Sequence, residues 1–279
     1  MMFDQRVLFS DNGTIEDISL QVNDFRTDSY TMNFVSAEDA IYIGTSLPFN
    51  HKFFELESVN ANASDIQISI WDGQVFNSVA DIQDSSRSGS ASLANSNIIR
   101  FTPDREKVWT RELDSFDVSG LEMTKIYQMY WLKIGFSADL SAGVQIKYIG
   151  QKFCTDSDIY DYYPDLNQTN LKLSFEAGKT TWDEQAFIAT EIIGRDLKRR
   201  FSLLNSNQII DYELFREAAI HKSAELIYHG LGQSYYEVRN SCRDHYLKAL
   251  ELGYLRLDQD KDGLLSDKER QLKQGYFKR

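Results

Sequence analysis

The stretch Asp258-Gln-Asp-Lys-Asp-Gly-Leu-Leu-Ser-Asp-Lys-Glu269 has the residue types and spacing of a calcium loop. Carboxylates fall at loop positions 1, 3 and 5, as Asp258, Asp260 and Asp262. Gly263 stands at position 6, where such a loop turns sharply. Leu264 offers its carbonyl at position 7 and Ser266 a hydroxyl at position 9, directly or through water. Glu269 at position 12 offers a bidentate carboxylate. Ca2+ takes roughly six to eight hard oxygens, and these residues supply them. The competing reading is a polar turn in which Ser266 and Glu269 form only a helix capping box. The sequence holds no second loop of this kind, whereas sensor EF-hands work in pairs. The ion is therefore expected to be structural, pinning the last helix.

Other groupings promise less. Gly178-Lys-Thr180 suggests a phosphate loop, but that motif needs a glycine five residues earlier, where Leu173 stands. The segment is read as a turn between a strand-like Leu171–Phe175 and a helix. His221, Glu225 and His229 share one helical face, yet zinc wants further ligands and an open position. Cys242 and His245 are three apart on one helix, while a catalytic Cys–His pair is usually assembled from separate elements. Lys198-Arg-Arg200 is the densest basic run. It suits the negative end of a helix dipole, or a contact with an acidic partner surface or DNA.

These residues need elements to hold them. Hydrophobic residues make up 42% of the 279 and charged ones 26%, so a globular chain with a real core is expected. Residues 1–180 hold 26 acidic against 14 basic side chains, while residues 181–279 hold 16 of each. The acidic excess argues against wrapping nucleic acid, whose phosphates need Lys and Arg. Cys154 and Cys242 lie too far apart in type of segment to form a disulfide framework, so a reducing compartment is expected. No secretory leader and no membrane-length apolar run is read in the chain. The matches to a glycosylation pattern at Asn12, Asn62 and Asn167 are read as turns.

Residues 1–40 read as an N-terminal arm with short strands. Residues 41–175 read as an antiparallel β-sandwich-like domain. Ile66-Gln-Ile-Ser-Ile-Trp71 alternates apolar and polar, Asp72-Gly73 turns, and Val75–Val79 resumes, which is a hairpin signature. Ile98–Phe101 and Tyr130–Phe136 are further strands. Asp84–Asn97, rich in Ser, Gly and Asn, reads as a long exposed loop. Tyr42-Ile-Gly44 recurs as Tyr148-Ile-Gly150, read either as two strands ending in glycine turns or as two sheet ends that meet. Residues 176–257 read as an antiparallel helical bundle. Capping boxes at Thr181–Glu184 and Ser234–Glu237 open two of its helices. Apolar stripes are expected at Phe187 or Ile188, Ile192, Leu197 and Phe201, then at Leu214, Phe215, Ala218, Ala219, Ile227 and Leu231, then at Val238, Cys242, Tyr246 and Ala249. Residues 258–279 form the calcium-loop segment. The fold class is thus α+β, ending in an EF-hand-like loop.

The order of several motifs carries a resemblance. Tyr42-Ile-Gly-Thr-Ser-Leu-Pro-Phe49, Ile70-Trp-Asp-Gly73, Tyr130-Trp-Leu-Lys133 and Tyr148-Ile-Gly-Gln-Lys-Phe153 come first. Gly178-Lys-Thr-Thr-Trp-Asp-Glu184, Gln208-Ile-Ile-Asp211 and His221-Lys-Ser-Ala-Glu-Leu-Ile-Tyr228 follow. Together they resemble the head-to-tail connector or adaptor (neck) proteins of tailed bacteriophages. The resemblance implies a structural, non-enzymatic virion protein, assembled in the host cytoplasm. Its helical part would dock in a ring of twelve beneath the portal protein. Tail or nozzle proteins, other copies of the chain and fibre proteins would be its partners, and DNA would pass without sequence-specific binding. The large β domain and the calcium loop depart from the minimal, mostly helical adaptor. Two other readings compete. One is a calcium-assisted binding module whose sandwich recognises carbohydrate or a fibre protein; the other is a hydrolase using paired carboxylates.

Overall fold

A computed structural model describes residues 5–103, 109–111, 129–201, 207, 209 and 211–253. The described chain is α+β: two antiparallel sheets come first and the long helices follow. It forms two compact units divided between Gly150 and Gln151. That division lies ahead of the boundary expected between residues 175 and 176.

In the first unit one sheet runs in the order β2 (Thr14–Asp17), β1 (Gln5–Asp11), β4 (Ala40–Thr45), β10 (Tyr130–Phe136), β6 (Ile66–Trp71), β7 (Phe76–Ser78). The other runs β3 (Tyr30–Met32), β11 (Val144–Gly150), β5 (His51–Ser58), β9 (Asn97–Thr102), β8 (Asp81–Asp84). A one-turn helix α1 (Ser19–Val22) lies between β2 and β3. Side chains of period two from both sheets fill a shared core, among them Val7, Ile41, Ile43, Ile68, Ile70, Leu132 and Ile134 from one and Phe54, Ile99, Phe101 and Ile146 from the other. Residues 5–40 are no arm, because β1 sits inside its sheet between β2 and β4 with Val7 and Leu8 fully buried. Leu8 faces the opposite side of that sheet, where it clusters with Tyr42, Trp71 and Trp131.

The repeated Tyr-Ile-Gly lies in two different sheets, at the ends of β4 and β11. Each glycine makes room for an aromatic ring. A Cβ on Gly44 would stand 2.6 Å from the Trp131 ring, and one on Gly150 would stand 2.1 Å from the Tyr148 hydroxyl. The Asp72-Gly73 hairpin joins β6 to β7 in antiparallel register. Asp72 accepts from the backbone of Gln74 and Val75 at 2.8 Å each, and those bonds hold its carboxyl below the usual range.

The Ser-rich segment between β8 and β9 is exposed over residues 87–90 but anchored on either side of them. Ser86, Ser92 and Leu93 are fully buried. Ser86 Oγ accepts from Leu93 N at 3.0 Å, and Ser92 Oγ accepts from Ile66 N at 3.1 Å. Leu93 is held at φ 56°, a left-handed conformation unusual for a bulky residue. Asn60 closes the region: its Nδ2 donates to the Asn62 and Ser92 carbonyls, and its Oδ1 accepts from Asn62 N and Ser141 N.

The second unit holds α2 (Asp156–Tyr162), α3 (Thr169–Phe175), α4 (Asp183–Phe201), α5 (Arg216–Gly230) and α6 (Tyr236–Gly253). The strand expected at Leu171–Phe175 is therefore a helix, and Gly178, at φ 81°, turns one helix into the next. A capping box opens α2: Thr155 N donates to Asp158 at 2.7 Å while Thr155 Oγ1 accepts from Asp158 N. The box expected at Thr181 is displaced, since α4 begins at Asp183 and the Trp182 carbonyl takes its first bond from Ala186. The α4 stripe is Ala186, Thr190, Ile193 and Leu197, with Ile193 buried where Ile192 was expected. A 3-10 turn, Gln233–Tyr235, precedes α6. Val238 at the start of α6 is 42% exposed, while Cys242, Tyr246, Ala249 and Leu250 are buried. Helices α5 and α6 run antiparallel, as the pairs His229 with Arg239 and His221 with His245 require. Ala218, Ala219 and Ala224 are fully buried on α5 and let neighbours approach closely.

Candidate functional site

The densest group of chemistry-bearing side chains in the second unit gathers around His221. Helix α5 carries it inward, so that only 6% of the residue is exposed. Its Nδ1 lies 2.7 Å from the hydroxyl of Tyr163, the residue that closes α2. Its Nε2 lies 3.6 Å from Glu217, one turn back on α5. The His245 ring from α6 lies 5.1 Å away, centre to centre, tilted by 32°. Tyr163 also hydrogen-bonds the Cys242 thiol. Tyr228 stands edge-on to Tyr163 and donates to Asp165 at 2.8 Å.

Burial sets the protonation states here. It pushes the Cys242 thiol up, against the opposing hydrogen bond from Tyr163. It pushes Cys154, beside Ser223, up to about 12. Neither sulfur is the low-pKa thiolate that nucleophilic catalysis uses. Desolvation first, then the His245 charge, depresses His221, while Glu217 works the other way. The group at neutral pH is thus a chain of uncharged donors and acceptors, Cys242 to Tyr163 to His221, ending at a carboxylate.

The structure disperses the other sequence candidates. Glu225 pairs with Lys222 at 2.7 Å and His229 meets Arg239 at 3.0 Å, so the His221–Glu225–His229 face does not converge. Cys242 and His245 share the cluster, but through Tyr163 and His221, which the spacing did not reveal. Lys179 of the Gly178 turn sits 3.3 and 3.4 Å from Glu176 and Glu184 and over the Phe175 and Trp182 rings. Its charge is committed to fixing that turn. Lys198, Arg199 and Arg200 are exposed at the end of α4. The calcium-loop residues Asp258, Asp260, Asp262, Leu264, Ser266 and Glu269 lie outside the described residues. Among the described residues, no group of three or more His, Cys, Asp or Glu is placed to hold a metal ion. None of their helices is long and apolar enough to cross a membrane.

The first unit hides two basic side chains that the sequence did not single out. His51 and Lys52 open β5 with 2% and 4% exposure. Desolvation lowers Lys52 to about 7, and desolvation with the Lys52 and Arg100 charges lowers His51 to about 3. The Lys52 ammonium lies 4.4 Å from the centre of the Phe49 ring. The first four residues of β5, His51 to Phe54, are buried on both faces of the strand.

No protein-family model matches the chain, and no curated protein matches it. Among solved structures, one similar chain is a family 89 glycoside hydrolase from Clostridium perfringens in complex with 2-acetamido-1,2-dideoxynojirmycin. The identity is 13% and the TM-score 0.31, over 71% of this chain and 21% of that one. The chain therefore spans well under two thirds of that protein, and a likeness at this TM-score carries no argument about fold or activity.

Proposed function

We propose that the chain is a structural protein of a tailed-phage virion, forming an adaptor ring between the portal and the tail. The observation that carries the reading is the α5–α6 hairpin packed with α4, in the segment whose motifs resemble neck adaptors. A charge balance of 16 against 16 over residues 181–279 suits close packing between like subunits. Residues 1–180, with 26 acidic against 14 basic side chains, suit a surface past which DNA slides without sticking. Partners in this reading are the portal, tail or nozzle proteins, fibre proteins and further copies of the chain in a dodecamer. The test is particle mass, measured for the full chain alone and mixed with portal rings of the phage that encodes it. Rings, alone or on the portal, are expected. A monomer that stays off the portal overturns the reading.

The ion in this proposal is a structural Ca2+ held by Asp258, Asp260, Asp262, the Leu264 carbonyl, Ser266 and Glu269. Saturating Ca2+ then raises the melting temperature, by about 2.7 kcal/mol of stability at a hundredfold excess over Kd. Asp258→Ala combined with Glu269→Ala abolishes that shift. Wild-type melting that ignores a chelator removes the ion from the proposal.

A further inference from the structure

Three segments meet at His221: the end of α2, the first half of α5 and the middle of α6. The end of α2 supplies the Tyr162 ring, edge-on at 5.6 Å, and the Tyr163 hydroxyl. Helix α5 supplies Glu217, whose side chain is 56% exposed. Helix α6 supplies His245 and, through Tyr163, Cys242. A neutral His221 satisfies them all. Its Nδ1 accepts from Tyr163, whose oxygen can accept from the thiol, and its Nε2–H points to Glu217; we assign this tautomer from the partners. A single proton is tolerable, because Tyr163 can turn from donor to acceptor and Glu217 gains a cation. Two protons are not. They set two imidazolium rings 5.1 Å apart, with the half-exposed Glu217 carboxylate 3.6 Å from His221.

We propose that His221 and His245 form a proton-operated latch, which holds α2, α5 and α6 together while neutral and loosens them when both rings are charged. Desolvation and the His245 charge depress His221 below its ordinary value of 6.5, so its folded form resists the proton that the unfolded chain takes up. The unfolded chain therefore binds more protons, and stability falls as pH falls. The latch contributes in full above pH 6.5 and is lost progressively below it. It depends on these residues alone and stands apart from the neck reading.

The test is hydrogen exchange on the full chain at about pH 7.5 and about pH 5.5, corrected for the intrinsic pH dependence of exchange. Wild-type protection over residues 159–163, 216–230 and 236–249 is expected to drop roughly tenfold at the lower pH, while β4 and β10 keep theirs. His245→Gln, at an exposed position, removes the second charge and is expected to shrink that drop to the part that burial of His221 alone causes. His245→Lys carries a permanent cation and is expected to loosen the same segments already at the higher pH. An unchanged wild-type profile overturns the proposal, and so does a His245→Gln variant that keeps the full response.

Discussion

The two units differ in what their polar side chains most often hold. In the sandwich, polar side chains serve the backbone. Ser19 accepts from Val7 N, Ser96 from Leu56 N, Ser137 from Asp65 N and Asp39 from Asn12 N and Val35 N. In the helical unit, side chains cap and brace the backbone too, as Asp156 does for Trp182 N, but several also pair with one another. Tyr160 donates to Asp156, Tyr228 to Asp165 and Tyr246 to Asp196, and Arg216 pairs with Asp158. The physical reason is where each architecture leaves backbone groups unpaired. A helix closes its own N–H and C=O groups except at its ends. A sandwich leaves them open wherever a strand stops, and a buried loop needs substitutes. Side-chain pairs such as His221–Tyr163 are thus free to form where the backbone makes no demand on them.

The largest test of that contrast removes one core tryptophan from each unit. Trp131 packs its ring against Gly44, and Trp182 donates from Nε1 to the Leu166 carbonyl at 2.8 Å. Each Trp→Ala change is expected to cost about 3–5 kcal/mol. Trp131→Ala should lower the melting of the β signal and Trp182→Ala that of the helical signal, read by circular dichroism and segment-resolved hydrogen exchange. If either substitution lowers both signals equally, the two units unfold as one and the contrast has no energetic meaning.

Lys52 sharpens the comparison from the sandwich side. Its folded value of about 7 lies below the ordinary 10.5, so between these limits the unfolded chain binds a proton that the folded chain does not. Stability of the sandwich should therefore rise as pH climbs from 7 to 10.5. Lys52→Met should remove that slope and raise stability at neutral pH, measured by denaturant melts at both ends of the window. A slope unaffected by Lys52→Met assigns it to another group.

The same contrast explains what could be read from the sequence. The Asp72-Gly73 hairpin was legible because turn chemistry is local. So were the helical spans, because Ala218, Ala219 and Ile227 recur at helical spacing. Ser86 and Ser92 were misread, since a serine that satisfies a distant backbone N–H looks in sequence like one in water. Leu171-Lys-Leu-Ser-Phe175 alternates like a strand, yet Lys172 is buried with its ammonium 4.8 Å from the Tyr160 ring, which a helix allows. Residues 5–11 hid their place in the sheet because both faces of β1 are covered. Of the His221 cluster, the sequence offered His221, Cys242 and His245 but not their meeting through Tyr163. Tyr163, His221 and His245 come from separate elements, and no spacing rule joins them.

Asn60 and Tyr246 give the smallest contrast: both are buried, but Asn60 mostly holds backbone groups while Tyr246 bonds a carboxylate. Asn60, 1% exposed, holds backbone groups of three separate segments: Asn62, Ser92 and Ser141. Asn60→Ala strands several of them at once, and each stranded buried group costs about 1–3 kcal/mol. Relaxation of the loops recovers part of this, leaving an expected loss of about 2–3 kcal/mol. Tyr246→Phe removes only one bond, at 2.7 Å to Asp196, a carboxylate that water can still reach. Its loss should be about 1 kcal/mol, with the ring still packed. Chemical denaturation measures both. Equal losses would mean that a polar side chain serving the backbone is worth no more than one serving a side chain, and the distinction between the two units would then be one of geometry without energy.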